Sequence, residues 1–209
     1  MSPQSPTDTE LWERVRDGDR HAFGTLFDRH ARTVYNYCFR RTADWTAAED
    51  LTSVVFLETW RRRDRVRMES ASLLPWLYGV AANVLHNHRR GLRRHRDALA
   101  RLPLPETTAD DADDTAARLD AERQMRAVLA SIDRLSRRDR EILTLSAWEG
   151  LSYQEIATAL GIRVGTVRSR LARARERLRA DLGLPAEPVP PGRHREGGTT
   201  TYFAAEEIS

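Results

Sequence analysis

Apolar side chains recur at helical spacing along most of the chain, and no stretch alternates apolar and polar residues long enough to predict a strand. The recurrence begins near Leu11 and continues to Tyr37. A second apolar run covers residues 51–60, and Thr46 and Glu49 precede it at the spacing of a capping box. The pattern therefore predicts an all-α protein.

A third apolar stretch covers residues 73–85, with Pro75 at a place where the first turn of a helix tolerates a missing amide proton. It continues into the basic residues 86–96, and a polar, arginine-rich interval at 61–72 precedes it. We expect residues 7–96 to form one small helical domain.

The composition changes at residues 97–117, where prolines and aspartates replace the apolar positions that a core needs. This stretch predicts a flexible acidic linker. Helical spacing then returns, with Ser136 as the cap of a further helix, and a second helical domain is expected over 118–183. The Pro- and Gly-rich residues 184–209 predict a disordered tail, whose last residues, 202–208, are expected to fray rather than to bind a partner.

Residues 151–178 carry the most informative pattern of the chain: a helix, a tight turn and a second helix rich in arginine. Gly161 lies where the turn needs a backbone conformation that a β-carbon resists. Ser152 and Glu155 have the spacing of a capping box. The positions that must meet between the two helices are Ile156, Ala157, Leu160, Ile162 and Val167. Together they predict a helix-turn-helix whose second helix lies in a DNA major groove.

An arginine-rich amphipathic helix with no DNA partner is the alternative, and the register of the glycine, the alanine and the apolar positions favours DNA binding. Arg168 and Arg170 lie about 200° apart on a helix of about 100° per residue, so both cannot read bases and one should be structural or hold the DNA backbone. The candidates for groove and phosphate contacts are Arg163, Thr166, Arg168, Ser169, Arg170 and Arg173.

Charge strengthens this interpretation. The 209 residues suit one large or two small domains, and the net charge is only +3 although the isoelectric point is about 9.5. Arginines cluster at 61–67, at 89–96 and along the last predicted helix, whereas aspartates collect at 110–114. Such segregation is typical of a nucleic-acid-binding protein with an acidic segment of separate function.

Several classes of protein are disfavoured. The single cysteine, Cys38, excludes an internal disulfide and is expected to be a buried thiol. The three histidines His86, His88 and His95 are irregularly spaced, so we expect no metal site. We find no catalytic constellation and expect neither enzymatic activity nor a cofactor. No signal peptide and no apolar stretch of about 20 residues is present, which predicts a cytoplasmic protein.

Further motifs occur in a characteristic order. Residues 48–61 contain AEDLT, VFL and WR; residues 75–90 contain PWLY, VAAN and RR. Residues 135–157 contain LSRRDR and GLSYQEIA, and TVRSRLARAR follows at 166–175. These motifs resemble regions 2.2, 2.3–2.4 and 4 of the extracytoplasmic-function (ECF) sigma factors, small members of the bacterial sigma-70 family. The resemblance covers about residues 10–183.

This resemblance implies a factor that binds core RNA polymerase, reads the −10 element with its first domain and the −35 element with its second, and assists promoter melting. The residues implied to face the clamp helices of the largest polymerase subunit are Glu49, Asp50, Thr52, Glu58 and Arg61. Those implied for the −10 element are Met68, Glu69, Ser70, Trp76, Asn83, Asn87, His88 and Arg90. The first three lie in a loop that receives a flipped base, and for Trp76 a core role is equally open.

Some roles and partners remain open after this resemblance, and so does the function of the whole chain. The acidic linker lies where the family threads the RNA channel of polymerase, but an inert spacer fits equally well. An anti-sigma factor is a further implied partner. Ser53-Val54 replaces a common glutamine, and Asn87 stands where an aspartate is frequent.

Two other functions are alternatives. A response-regulator activator would need an α/β domain that residues 7–95 do not predict. An adaptor that binds polymerase without reading DNA stays open.

Overall fold

The computed structural model describes residues 5–66, 68, 70–99 and 116–181. These residues form eight α-helices, one short 3-10 helix and no strand, which confirms the all-α prediction. The helices are α1 (Asp8–Arg16), α2 (Arg20–Thr42), α3 (Trp45–Arg61), the 3-10 helix (Arg63–Arg65), α4 (Leu74–Leu99), α5 (Ala116–Ile132), α6 (Arg137–Ala147), α7 (Tyr153–Leu160) and α8 (Val164–Asp181). The central part of the predicted acidic linker and the predicted tail lie outside the described residues.

The apolar recurrence from Leu11 to Tyr37 belongs to two helices rather than one. Gly18 has a φ of +91°, a conformation that suits glycine, and it ends the turn after α1. The Asp19 carboxylate then accepts hydrogen bonds from the backbone N–H groups of His21 and Ala22, at 2.8 and 3.0 Å, and caps α2.

The capping box predicted at Thr46 and Glu49 is wrong. Helix α3 begins at Trp45, and the Asp44 carboxylate accepts a hydrogen bond from Ala47 N at 2.9 Å. Ala43 adopts the left-handed conformation (φ +52°) at the end of α2, so the chain has already reversed there. Asp44 is therefore the first residue able to cap the new helix.

Helices α1–α4 bury a shared apolar core, and its largest members include Trp12, Leu26, Tyr37 and Leu77. Cys38 is fully buried within it, as predicted, and burial raises the pKa of its thiol to about 12. The thiol is therefore protonated and unreactive at neutral pH. None of the described helices combines the length and the apolar character that crossing a membrane requires.

Helices α1–α4 form a first block and helices α5–α8 a second. The second block packs directly against the first, and α7 lies on α4. Gly79 makes this approach possible, because a β-carbon at this position would lie 2.3 Å from the backbone oxygen of Ala159. Buried side chains of both blocks, such as Leu77 and Ile156, belong to one contiguous cluster.

A buried polar group joins α2 to α6. The Glu141 carboxylate pairs with Arg41 and accepts a hydrogen bond from the Tyr37 hydroxyl at 3.0 Å. Arg41, only 2% exposed, also donates to the Thr144 hydroxyl at 3.0 Å. Burial, followed by the neighbouring Glu141 charge, raises the pKa of Tyr37 well above its ordinary value.

A second polar group joins the same two blocks nearer to α7. Arg40 donates to both carboxylate oxygens of Glu149, at 2.8 and 3.0 Å, and the Tyr78 hydroxyl donates to the same carboxylate at 2.8 Å. Each buried charge is thus matched by a partner from the other block, so separating the blocks exposes all of these groups to water at once.

Candidate nucleic-acid interface

The helix-turn-helix forms as predicted from α7 and α8. The Ser152 hydroxyl accepts from Glu155 N at 3.3 Å, while the Glu155 carboxylate accepts from Ser152 N at 2.8 Å, which completes the capping box. Gly161, with a φ of +62°, ends α7 in the left-handed conformation. The side chains buried between the helices are Ile156, Ala157, Val167 and Leu171; Leu160 and Ile162 are half-buried.

The start of α8 presents an exposed positive surface. Arg163, Arg168, Ser169 and Arg173 are exposed, and Thr166 is half-buried. Within the described part of the chain, none of these three arginines forms a salt bridge. Arg173 donates to the backbone oxygen of Ser169 at 3.3 Å, and its charge helps to lower the pKa of Asp139. Their charges therefore remain available for phosphate groups or base edges.

Arg170 has different surroundings from the other candidates on α8. Its guanidinium donates to the Asp139 carboxylate on α6 at 2.9 Å, and both side chains are partly buried. Burial opposes ionisation of Asp139, but hydrogen bonds from Ser136 and Arg170 hold the pKa of Asp139 below its ordinary value. Arg170 thus joins α8 to α6, while Arg168, on another face of the helix, is exposed to solvent.

A polar stripe runs along α4. Asn83, Asn87 and Arg90 are exposed and lie on one helix face, because their spacing of four and three residues returns to the same side. His88 is half-buried and lies about 100° from Asn87 around the helix. Trp76, seven residues before Asn83, begins the same stripe.

Trp76 lies between the two blocks. Its ring is half-buried against the core, and it lines a cavity together with Arg163 and Thr166 at the start of α8. Its indole nitrogen is buried without a hydrogen-bond partner among the described residues. In this arrangement, Trp76, predicted to contact the −10 element, faces Arg163 and Thr166, predicted to contact the −35 element.

Of the three loop residues predicted to receive a flipped base, the structure describes Met68 and Ser70. Met68 is half-buried against the core, and the Ser70 hydroxyl accepts a hydrogen bond from Ser72 N at 3.3 Å. Glu69 lies outside the described residues.

The α3 residues that were predicted to contact polymerase differ in how exposed they are. Glu49, Asp50 and Arg61 are exposed, but Thr52 is 7% exposed and donates its hydroxyl to Ala48 O at 2.7 Å, so it cannot present its side chain to a partner. Glu58 is paired with Arg61 at 3.0 Å, and the Arg61 hydrogen bond lowers the pKa of Glu58.

Two aliphatic side chains were not among the predicted contacts. Val54 and Leu57 are 42% and 48% exposed on α3, close to Asp50. The sequence contains a signal for them, since four consecutive apolar residues, 54–57, cannot all face the core from one helix.

Arginines also surround a cavity of about 490 Å³ between α4 and α6. The ionisable side chains that line it are Arg41, Arg89, Arg93, Arg96, Arg137, Arg140, His86, Asp133 and Glu141. Burial, followed by the nearby Arg137, Arg90 and Arg93, lowers the pKa of His86. The end of α4 therefore carries a positive surface suited to phosphate contacts.

Comparison with known proteins follows this division into two blocks. The family model for Sigma-70 region 2 matches residues 26–95, and the model for Sigma-70, region 4 matches residues 125–178. The first match contains α3 and the polar stripe of α4, and the second contains the helix-turn-helix.

Individual proteins show the same similarity over most of the chain. RNA polymerase sigma factor CarQ of Myxococcus xanthus is 36% identical over 82% of this chain and 95% of its own length. The ECF RNA polymerase sigma-E factor of Haemophilus influenzae is 34% identical over 81% of this chain and 92% of its own length.

Solved structures show the same fold. CnrH, solved in complex with the cytosolic domain of CnrY, is 25% identical, with a TM-score of 0.60 over 84% of this chain and 97% of the CnrH chain. Sigma factor RpoE of Bartonella quintana, solved with the anti-sigma factor NepR, is 23% identical, with a TM-score of 0.54 over 78% of this chain and 98% of its own.

Proposed function

Because this chain belongs to the sigma-70 family, as one of its ECF sigma factors, we propose that it binds core RNA polymerase and directs transcription initiation at promoters with −10 and −35 elements. The observation that carries the proposal is the presence of both sigma regions, in order, on a chain whose helix-turn-helix leaves Arg163, Arg168 and Arg173 exposed. The site of action is the cytoplasm, where polymerase and promoter meet.

Helix α8 reads the −35 element. Arg163, Arg168, Ser169 and Arg173 contact bases and phosphates from its exposed side, and Thr166 lies at its first turn. An arginine that donates two hydrogen bonds to a guanine contributes about 1–3 kcal/mol of discrimination, whereas an arginine on a phosphate adds affinity without sequence choice. Arg170 acts through Asp139 and holds the orientation of α8.

The polar stripe of α4 and the preceding loop read the −10 element. Asn83 and Asn87 offer paired donors and acceptors to base edges, and Arg90 contacts the backbone. Met68, Glu69 and Ser70 receive an unpaired base, and Trp76 provides an aromatic face on which a base can stack. Trp76 serves this role only when α8 has moved away.

The exposed face of α3 docks on polymerase. Val54 and Leu57 form an apolar centre, and Glu49, Asp50 and Arg61 lie around it, which is the usual composition of a protein–protein interface. Glu58 exchanges its pairing with Arg61 for a basic group of the partner. Thr52 supports α3 from within.

Simultaneous reading of both elements requires the two blocks to separate. The elements are about 25 base pairs apart, which is about 85 Å along B-form DNA. A compact body of this size is only about 40 Å across. Binding to polymerase therefore replaces the contacts between α4 and α7, and an anti-sigma factor is a second partner that competes for the released surfaces.

Transcription in vitro tests this proposal. Purified chain and core polymerase are combined with genomic fragments, and start sites are mapped. We expect initiation from a shared promoter motif, and a loss of about tenfold or more for Arg168→Ala with Arg173→Ala. Arg177→Ala, an exposed arginine further along α8, is the control and should change initiation less than twofold. Polymerase binding without promoter-specific initiation would instead identify an adaptor.

A further inference from the structure

A buried carboxylate outside the predicted DNA-reading surfaces connects three parts of the first block. Asp8, the first residue of α1, is only 5% exposed. One carboxylate oxygen accepts a hydrogen bond from Arg29 at 2.6 Å, and the other lies 2.7 Å from Nε2 of His30. His30 is also 5% exposed, so α1 and α2 are joined through a buried polar contact.

The same carboxylate holds the chain where it enters α4. It accepts hydrogen bonds from Leu73 N at 2.8 Å and from the Ser72 hydroxyl at 3.3 Å. The Ser72 hydroxyl oxygen accepts from Leu74 N at 3.2 Å, and Ser72 N donates to the Ser70 hydroxyl at 3.3 Å. A continuous series of hydrogen bonds therefore runs from Asp8 to Ser70 and to the first turn of α4.

Asp8 is suited to fix this geometry because it is an anion. Burial opposes its ionisation, but the hydrogen bonds from Leu73 and Arg29, together with His30, hold the pKa of Asp8 below its ordinary value. Hydrogen bonds to a charged acceptor are shorter and stronger than those between neutral groups. A buried charged network does not stabilise a fold better than apolar packing of equal volume, so its specific effect is to define one arrangement of the elements that it joins.

We propose that Asp8 is a positioning residue for −10 recognition. Through Ser72 and Leu73 it fixes residues 70–74, and thereby Ser70 and the helix start that presents Trp76. A pocket for an unpaired base must be formed in advance to within about 0.5 Å, because base flipping already costs a few kcal/mol. This inference rests on the proposed role of Ser70 and Trp76 in reading the −10 element.

Base discrimination in transcription distinguishes positioning from general stability. Asp8→Asn keeps the side-chain shape but replaces one acceptor oxygen with a donor. Asp17→Asn, at the exposed end of the same helix, is the matched control. Both variants are assayed as full chains with core polymerase, on the mapped promoter and on templates with each −10 or −35 base substituted, below the unfolding temperature of each variant.

We expect Asp8→Asn to reduce discrimination about tenfold at one or two adjacent −10 positions, because the loosened pocket accepts other bases. Discrimination at the −35 positions should stay within twofold of the unmutated chain. Asp17→Asn should leave both unchanged. A uniform loss of transcription on all templates, or full −10 discrimination in a folded Asp8→Asn chain, would overturn the positioning role.

Ser72→Ala tests the same connection at its other end. It removes the hydrogen bond from the Ser72 hydroxyl to Asp8 and the one that this hydroxyl accepts from Leu74 N. Arg29, His30 and Leu73 N remain bonded to the carboxylate. Discrimination should fall at the same −10 position, and this variant decides the question if Asp8→Asn does not fold. Failure of the unmutated chain to initiate transcription contradicts the proposed function itself. Unchanged discrimination in Ser72→Ala, with an active unmutated chain, contradicts only the role of Asp8.

Discussion

Charged side chains in this protein have two kinds of surroundings, and the difference decides what each can do. Asp8 and Arg41 are buried against opposite charges, whereas Arg168 and Arg173 face solvent and form no salt bridge in the described part of the chain. A buried pair defines the arrangement of two elements, since loss of either partner leaves an uncompensated charge. An exposed arginine can exchange its water for a phosphate or a base edge.

The acid stability of the protein should reflect Asp8. Its pKa is lowered in the folded state from the ordinary value of 3.8, so its stabilising contribution is fully present above that pH and is lost as the pH falls through the folded-state pKa. Asp8→Asn should remove this part of the pH dependence and lower the free energy of unfolding at neutral pH by about 1–3 kcal/mol.

Urea unfolding followed by circular dichroism between pH 2 and pH 7 measures this effect. Asp17→Asn provides the comparison, because its carboxylate is exposed and has no side-chain partner among the described residues. A wild-type slope that persists unchanged in Asp8→Asn below pH 3.8 would contradict the assignment.

Individual helices begin and end at residues whose side chains cap the helix or whose backbone can adopt a positive φ. Asp19, Asp44 and Ser152 each accept hydrogen bonds from the first turn of a helix, and Gly161 ends α7 with a positive φ. Ser152 and Gly161 determine where α7 begins and ends, and Gly161 sets the direction in which the chain continues into α8. The surface that α8 offers to DNA therefore depends on the conformation of a single glycine.

Gly161→Ala should destabilise the protein by about 1–2 kcal/mol, because a left-handed conformation is unfavourable for a residue with a β-carbon. The space around Gly161 is open, so backbone strain is the whole cost. Gly24→Ala, inside α2 and also in open space, should instead stabilise by about 0.5–1 kcal/mol. Thermal or urea unfolding of the two variants measures this difference in sign.

The two blocks of helices are packed against each other in this structure. Helix α7 lies on α4, and the buried charges of Glu141 and Glu149 are matched from the other block. Trp76, Arg163 and Thr166 line one cavity, so surfaces proposed for the −10 and −35 elements partly cover each other. The free chain should therefore bind promoter DNA more weakly than its exposed charges suggest.

Gly79→Ala should open this arrangement, because its β-carbon would overlap the backbone oxygen of Ala159 at 2.3 Å. We expect a larger radius of gyration in small-angle X-ray scattering and a several-fold higher affinity of the free chain for promoter duplex. Gly91→Ala, further along α4 in open space, is the matched control and should change neither quantity. Equal scattering profiles for the two variants would show that this contact does not hold the blocks together.

The sequence by itself determined the helical fold, the helix-turn-helix with its cap and glycine turn, the buried Cys38 and the order of the two sigma regions. These features depend on residues a few positions apart, whose periodicity and capping chemistry are visible along the chain. The same rules failed at Thr46, because Asp44 and the left-handed Ala43 begin α3 earlier.

Only the tertiary structure decided which of the described side chains are exposed and unpaired, and which are buried or held by a partner. Arg170 is held by Asp139, Thr52 is buried, Val54 and Leu57 are exposed, and Asp8 supports the start of α4. The partners of Arg170 and Asp8 are separated from them by tens of residues, and periodicity carries no information about such contacts. For residues 54–57, periodicity indicates that some must face outward, but the packing of α3 decides which of them do. The contact between the blocks, such as that of Arg41 with Glu141 one hundred residues later, likewise depends on packing that no local pattern specifies.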